Sequence, residues 1–194
     1  MESPVEKINA YIQRCIQPTE EERAFHNSLL TYKRFEKKTV LLQEGEICDF
    51  EAYIIKGCVR SYFINENGFE ITLSFAVEDW WVSELASFHE GKPARLYIET
   101  LEPTEMLMLS RENKELLLNT YPKFERMYRL MLQRSLSVVY DRLLSTLSKP
   151  AQERYLEFLE RYPQIPQRVA QHYIASYLGV SAEFLSKIRS RMNH

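Results

Sequence analysis

Cysteine is scarce in this chain and never paired in sequence. Cys15, Cys48 and Cys58 form no C-x-x-C element. That argues against a disulfide framework and a cysteine-only zinc site, and it leaves too few clustered thiolates for an iron–sulfur cluster. The four histidines, His26, His89, His172 and His194, are scattered, so no metal site is expected. Long apolar runs are missing too, which excludes a membrane-spanning helix. The opening Met1-Glu2-Ser3-Pro4-Val5-Glu6 does not resemble a signal peptide. A cytoplasmic location without a membrane partner is the expectation. Catalytic signatures are equally absent: there is no phosphate-binding glycine loop, no nucleophile elbow and no H-E-x-x-H. Nothing orders the plentiful acids and serines into a site, and no enzyme is expected.

What is present is an ordinary globular composition, 45% apolar and 27% charged over 194 residues, enough for one large domain or two modest ones. The net charge of −2 is unevenly divided. Residues 164–194 hold Arg168, Lys187, Arg189 and Arg191 against Glu183 alone, a local +3 that leaves −5 for the rest. A small basic module on an acidic body suits a nucleic-acid binder whose body repels non-specific contact.

The texture changes along the chain. Val5, Ile8, Tyr11, Ile12 and Cys15 recur at helical spacing after Pro4, and Thr19-Glu20-Glu21-Glu22 reads as the capped start of a second helix. From about residue 32, short β-rich runs alternate with turns: 39–42, 52–55, 59–64, 70–75, 95–100 and 106–109. This spacing predicts a small antiparallel barrel or roll. Ser110 offers a cap for another helix. Pro122 then opens a long one that meets no glycine or second proline before Leu147. Its apolar residues form two stripes. Phe124, Met127, Met131 and Val138 lie near one face; Tyr128, Leu132, Leu136, Val139 and Leu143 lie near another. One stripe can cover the β-domain, and the second calls for a symmetry mate, hence a homodimer. Lys149-Pro150 marks a boundary, and a helix is expected over 152–162.

The last thirty residues carry the most information. Gln171 to Arg189 has the spacing of a helix-turn-helix. Ala175 is small where two helices must touch. Gly179 sits at the turn, where a positive φ is needed, and Ser181 can cap the second helix. Ile174, Leu178, Val180, Leu185 and Ile188 supply the buried face. Candidate DNA contacts are Ser181, Ala182, Glu183, Ser186, Lys187 and Arg189, with Arg191 just beyond; the expected partner is double-stranded DNA.

In this order (helices, β-roll, long helix, helix-turn-helix) the chain resembles the Crp/Fnr family of bacterial transcription regulators over nearly its whole length. The carrying elements are Leu42-x-Glu44-Gly45-Glu46, Tyr53-Ile54-Ile55-Lys56-Gly57-x-Val59-Arg60, the turn at Gly68, and Ser83-Glu84-Leu85. The resemblance implies an α+β fold. Residues 1–121 would form a cyclic-nucleotide-binding-like sensor, 122–148 a dimerisation helix, and 149–194 a DNA-binding domain. It also implies a small-molecule effector and contact with RNA polymerase. A second reading is a cyclic-nucleotide sensor acting through protein contacts.

In family members that bind cyclic AMP, a Gly-Glu-Leu element supplies a glutamate for the ribose and a following Arg-Ser pair neutralises the phosphate. Here Glu84 and Leu85 match, Ser83 replaces the glycine, and Arg95 is displaced by one position. On a strand such a slip reverses the side chain's face. A one-residue adjustment in Glu90-Gly91-Lys92-Pro93 would restore it. Ser83, Glu84, Leu85 and Arg95 are therefore the effector candidates, with no cofactor assigned and cyclic AMP disfavoured. Trp80 and Trp81 either line an altered pocket or pack in the core. In the reading helix, Glu183 matches the family's glutamate, Lys187 stands at its later arginine, and Ala182 replaces its first, so a different target sequence is expected. With His194 so soon after that helix, no full wing with a final strand is expected.

Overall fold

The computed structural model describes residues 3–192; the expectation concerning the chain end at His194 lies outside them. Helix α1 (Pro4–Gln13) starts on a proline at its first turn and buries Ile8, Tyr11 and Ile12. Helix α2 (Glu20–Ser28) is held by a reciprocal cap. Thr19 Oγ1 accepts from the Glu22 amide at 3.2 Å, and the Glu22 carboxylate accepts from the Thr19 amide at 2.6 Å.

The β-rich middle folds into two four-stranded sheets. One runs β1 (Thr31–Phe35), β8 (Thr104–Ser110), β3 (Phe50–Lys56), β6 (Trp81–Val82); the other runs β2 (Val40–Leu42), β7 (Tyr97–Thr100), β4 (Val59–Ile64), β5 (Glu70–Ala76). All strand pairs are antiparallel. Leu42, Phe50, Ile54, Val59, Val82, Ile98 and Met106 fill the space within this roll. The turn between β3 and β4 requires Gly57. Its φ is +116°, and a Cβ there would stand 2.7 Å from the Thr104 Cα.

Strand β4 matches its expected limits, whereas β7 begins two residues later than expected, at Tyr97. Arg95 consequently precedes the strand and does not alternate with it. The short strands β1 and β6 carry little alternation to signal them. Helix α3 (Leu85–Glu90) interrupts the stretch that resembles the effector cassette.

Helix α4 (Arg111–Thr120) is capped by Ser110, and α5 (Lys123–Ser148) is the long helix. Phe124, Met127, Tyr128 and Met131 are buried against α1 and the roll. Tyr128 thus joins the inward stripe. The rest of the second stripe, Leu132, Leu136, Val139 and Leu143, is exposed, as are Tyr140, Leu144 and Leu147. Helices α6 (Ala151–Arg161), α7 (Ile165–Arg168), α8 (Gln171–Leu178) and α9 (Ala182–Met192) complete the described residues. Their core is shared: Cys58, Phe75 and Leu101 of the roll pack with Tyr155, Phe158, Tyr162 and Tyr177. Burial there pushes the Cys58 thiol up to about 12, which makes it a packing group rather than a nucleophile.

Candidate nucleic-acid interface and effector cassette

The α8–α9 unit assembles from local chemistry. Gly179 ends α8 with φ +67°. Its amide and that of Val180 donate back to Ser176 O and Ala175 O at 3.1 and 3.0 Å, closing the helix end. Ser181 Oγ accepts from the Phe184 amide at 3.1 Å and starts α9. Ile174, Ala175, Leu178, Leu185 and Ile188 are buried between the helices and their neighbours. Val180 is only partly buried, because the turn leaves it at the rim.

This packing leaves one polar face of α9 open. Glu183, Ser186, Lys187, Ser190 and Arg191 line a shallow surface at spacings of three and four residues. The Glu183 carboxylate is held below its ordinary value by its own backbone amide and by the Ser181 hydroxyl, so it stays an acceptor. Arg189 turns elsewhere: it is half-buried, and its guanidinium donates to Gln171 Oε1 at 3.3 Å. Ser190 was absent from the sequence candidates, although the i, i+3, i+4, i+7, i+8 series from Glu183 could have found it. Ala182 is partly buried near the helix start. Arg168, counted in the local positive charge, forms two 2.8 Å bonds to Glu78 and a further contact to Glu102, both on the roll. These carboxylates raise its pKa, Glu78 first. The positive charge offered by the helix pair is therefore narrower than the sequence count.

The cassette is organised differently. Ser83 Oγ donates to Phe50 O at 2.9 Å. The Glu84 carboxylate is buried and accepts from the Ser87 amide, capping α3. Leu85 is exposed, while Phe88 on the same helix is fully buried in the roll's core. Arg111, at the start of α4, donates to Ser87 O at 2.9 Å and fastens α3 from outside. Arg95 is exposed and, among the described residues, takes part in no ion pair. The structure thus gives Ser83 and Glu84 structural partners, and among the described residues no hydrogen bond or ion pair joins either to Arg95. Trp81 packs edge-on against Tyr11 and Tyr53, and Trp80 lies against Tyr162 at 5.7 Å. Both tryptophans therefore pack against aromatic neighbours.

A feature of the roll not foreseen from sequence is Arg60, 2% exposed on the outer face of β4. It pairs with Glu99 at 2.7 Å and with Glu70. Its guanidinium lies between the rings of Tyr62 on the same strand and Tyr173 of α8, at 3.8 and 4.1 Å. The β4–β7 register sets Arg60 opposite Glu99 and Tyr62 opposite Tyr97, so these groups share one face. No sequence pattern could announce a cluster drawn from β4, β5, β7 and α8.

No helix among the described residues is long and apolar enough to cross a membrane, and no His/Cys/Asp/Glu group among them is placed to hold a metal ion.

Residues 32–121 match the cyclic nucleotide-binding domain. The chain is 25% identical over 134 residues to the cAMP-activated global transcriptional regulator CRP of Salmonella typhimurium, a match covering 68% of this chain and 59% of that relative. It therefore spans less than two thirds of the curated relative's length. Its fold is similar to that of FixK2 from Bradyrhizobium japonicum, with a TM-score of 0.75 and 21% identity over 84% of each chain. It is also similar to a Crp/Fnr-family structure from Eubacterium rectale, with a TM-score of 0.71 and 16% identity over 91% of this chain and 84% of that one. The comparisons thus assign residues 32–121 to the cyclic nucleotide-binding domain and show that the whole chain shares its fold with these regulators.

Proposed function

We propose that the chain is a DNA-binding transcription regulator acting as a homodimer. The observation that carries this reading is the α8–Gly179–α9 unit, which packs on its apolar side and leaves Glu183, Ser186, Lys187 and Arg191 exposed along one face. A carboxylate and a cation one turn apart suit base edges and phosphates in a major groove. In this reading residues 1–121 receive a signal, 122–148 pair two copies and 149–194 read DNA. The exposed Leu132, Leu136, Val139, Leu143 and Leu147 on α5 recur at intervals of four and three, which supports a helix-to-helix seam. Two reading helices would then enter successive major grooves about 34 Å apart on a near-palindromic site. RNA polymerase is the protein partner this reading implies, and the cytoplasm the compartment.

The roll would act by binding a small molecule unequally in two arrangements of the dimer. Cyclic AMP is not assigned to it, because Glu84 caps α3 and Arg95 lies on the surface.

The test is a gel shift on a duplex selected from a random palindrome pool. Two chains should bind per duplex, and replacing both Glu183 and Lys187 with alanine should weaken binding by roughly tenfold to a hundredfold. Unchanged binding by the double variant would remove α9 as the reader. Light scattering on Leu136→Glu/Leu143→Glu should show a monomer; a persistent dimer would place the seam elsewhere.

A further inference from the structure

Strand β5 is an edge strand of its sheet, and its unpaired backbone groups need partners. They find two in the C-terminal part of the chain. Ser176, within α8, accepts from the Thr72 amide at 2.9 Å and donates to Glu70 O at 2.8 Å. One hydroxyl thus serves both a donor and an acceptor of the edge strand. From the other side Arg142, on α5, donates to Leu73 O and to Thr72 O. The same guanidinium donates to Tyr177 O at 2.8 Å, next to the C-terminal end of α8, where helix carbonyls favour a cation. It also stacks 4.0 Å from the Tyr177 ring. All of Arg142's polar partners here are backbone carbonyls, so the residue acts as a joint among α5, β5 and α8 rather than as half of an ion pair. Arg60–Tyr173 and Arg168–Glu78/Glu102 flank this joint.

We propose that Ser176 and Arg142 are positioning residues for DNA reading: they fix α8 on the edge of the chain's own β-roll and so set the direction of α9. The proposal rests on the DNA-reading function above. Helices α8 and α9 share buried Ile174, Ala175, Leu185 and Ile188, so what holds α8 holds α9. A reader held in place before binding loses less freedom on the duplex than one on a loose tether. The arrangement also gives the roll a direct hold on the reading domain through its edge strand, besides the connection along α5.

The test uses the full chain and two readouts. Hydrogen exchange followed by NMR should show the Thr72 amide protected in the wild type. Ser176→Ala and Arg142→Gln should each speed its exchange by roughly tenfold or more, with the amides of β4, paired on both sides, unaffected. Ser176→Thr, which keeps the hydroxyl, should restore protection. Affinity for the selected duplex should fall on the order of tenfold in Ser176→Ala and return in Ser176→Thr. Thr72 exchange that is unchanged by both variants would overturn the docking. Faster exchange with equal or tighter DNA binding would overturn the positioning role and make the contact an inhibitory one. A wild type that protects Thr72 but binds no duplex would overturn the DNA reading itself.

Discussion

The α8–α9 unit and the segment from Ser83 to Arg95 are both rich in suggestive polar residues, yet the fold treats them in opposite ways. In the helix pair, the residues that make the turn and cap are different from those that line the open face of α9. Gly179 and Ser181 make the turn and cap, leaving Ser186, Lys187 and Arg191 open on α9. In the cassette, the residues that resemble ligand contacts also build the segment. Ser83 holds Phe50 O and Glu84 holds the start of α3. A motif's residues are available for ligand only where the backbone's own hydrogen-bonding needs are met by others.

The largest effect that would sharpen this contrast is at Phe88. It anchors α3 in the roll with 1% exposure, so Phe88→Ala should cost about 3–5 kcal/mol by urea denaturation. A loss under 1 kcal/mol would mean that the segment is a loosely held lid, more like a binding loop than a core helix.

Next comes His26, a polar group fully absorbed by the fold. It is buried and stacked on Phe124 at 5.3 Å, and among the described residues neither ring nitrogen meets a partner in good hydrogen-bond geometry. Burial lowers its pKa from 6.5 to about 4, against a smaller opposing contribution from Asn27. The unfolded chain therefore takes up this proton first as pH falls. Stability from this group is complete above pH 6.5 and declines as pH drops toward 4, by up to about 3 kcal/mol. Denaturation midpoints at pH 7 and pH 5 should differ in the wild type, with the difference reduced in His26→Phe. An equal slope in that variant would assign the pH dependence to other groups.

A smaller effect tests the reading unit. At Gly179 an added Cβ meets nothing within 4 Å among the described residues, but φ is +67°. Gly179→Ala should therefore cost only backbone strain, about 1–2 kcal/mol, visible as a lower melting temperature. No change would mean that the turn readily adopts another conformation.

Legibility followed the range of the interactions. The capping box at Thr19, the cap at Ser110, β4 and the α8–α9 turn are set within a few residues, and the sequence displays them. The split of α5 into a covered N-terminal half and an exposed apolar stripe was partly readable; Tyr128 changed sides because α1 and the roll reach around to it. Helix α3 was hidden because its cap, Glu84, occupies a position that resembles a ribose contact. The Arg60 sandwich, the Arg168 pairs and the Ser176–β5 contact join residues far apart in sequence. Local spacing carries no trace of such pairings. They also explain why the basic count of the last segment overstated what α9 presents.

The smallest effect bears most directly on the cassette. Arg95 is exposed, precedes β7 and is tied to no carboxylate among the described residues, so Arg95→Ala should change stability by less than about 0.5 kcal/mol. In a cyclic-AMP-type site this arginine would face a buried phosphate, and its loss would remove the charge-assisted bonds that make such a site bind. Calorimetric titration with cyclic AMP should therefore show no heat that depends on Arg95. A micromolar isotherm in the wild type that vanishes in Arg95→Ala would mean that residues 90–95 shift on binding and that Glu84 gives up its helix cap for the ribose. The cassette would then resemble α8–α9 after all, with its polar residues released by the ligand rather than by the fold.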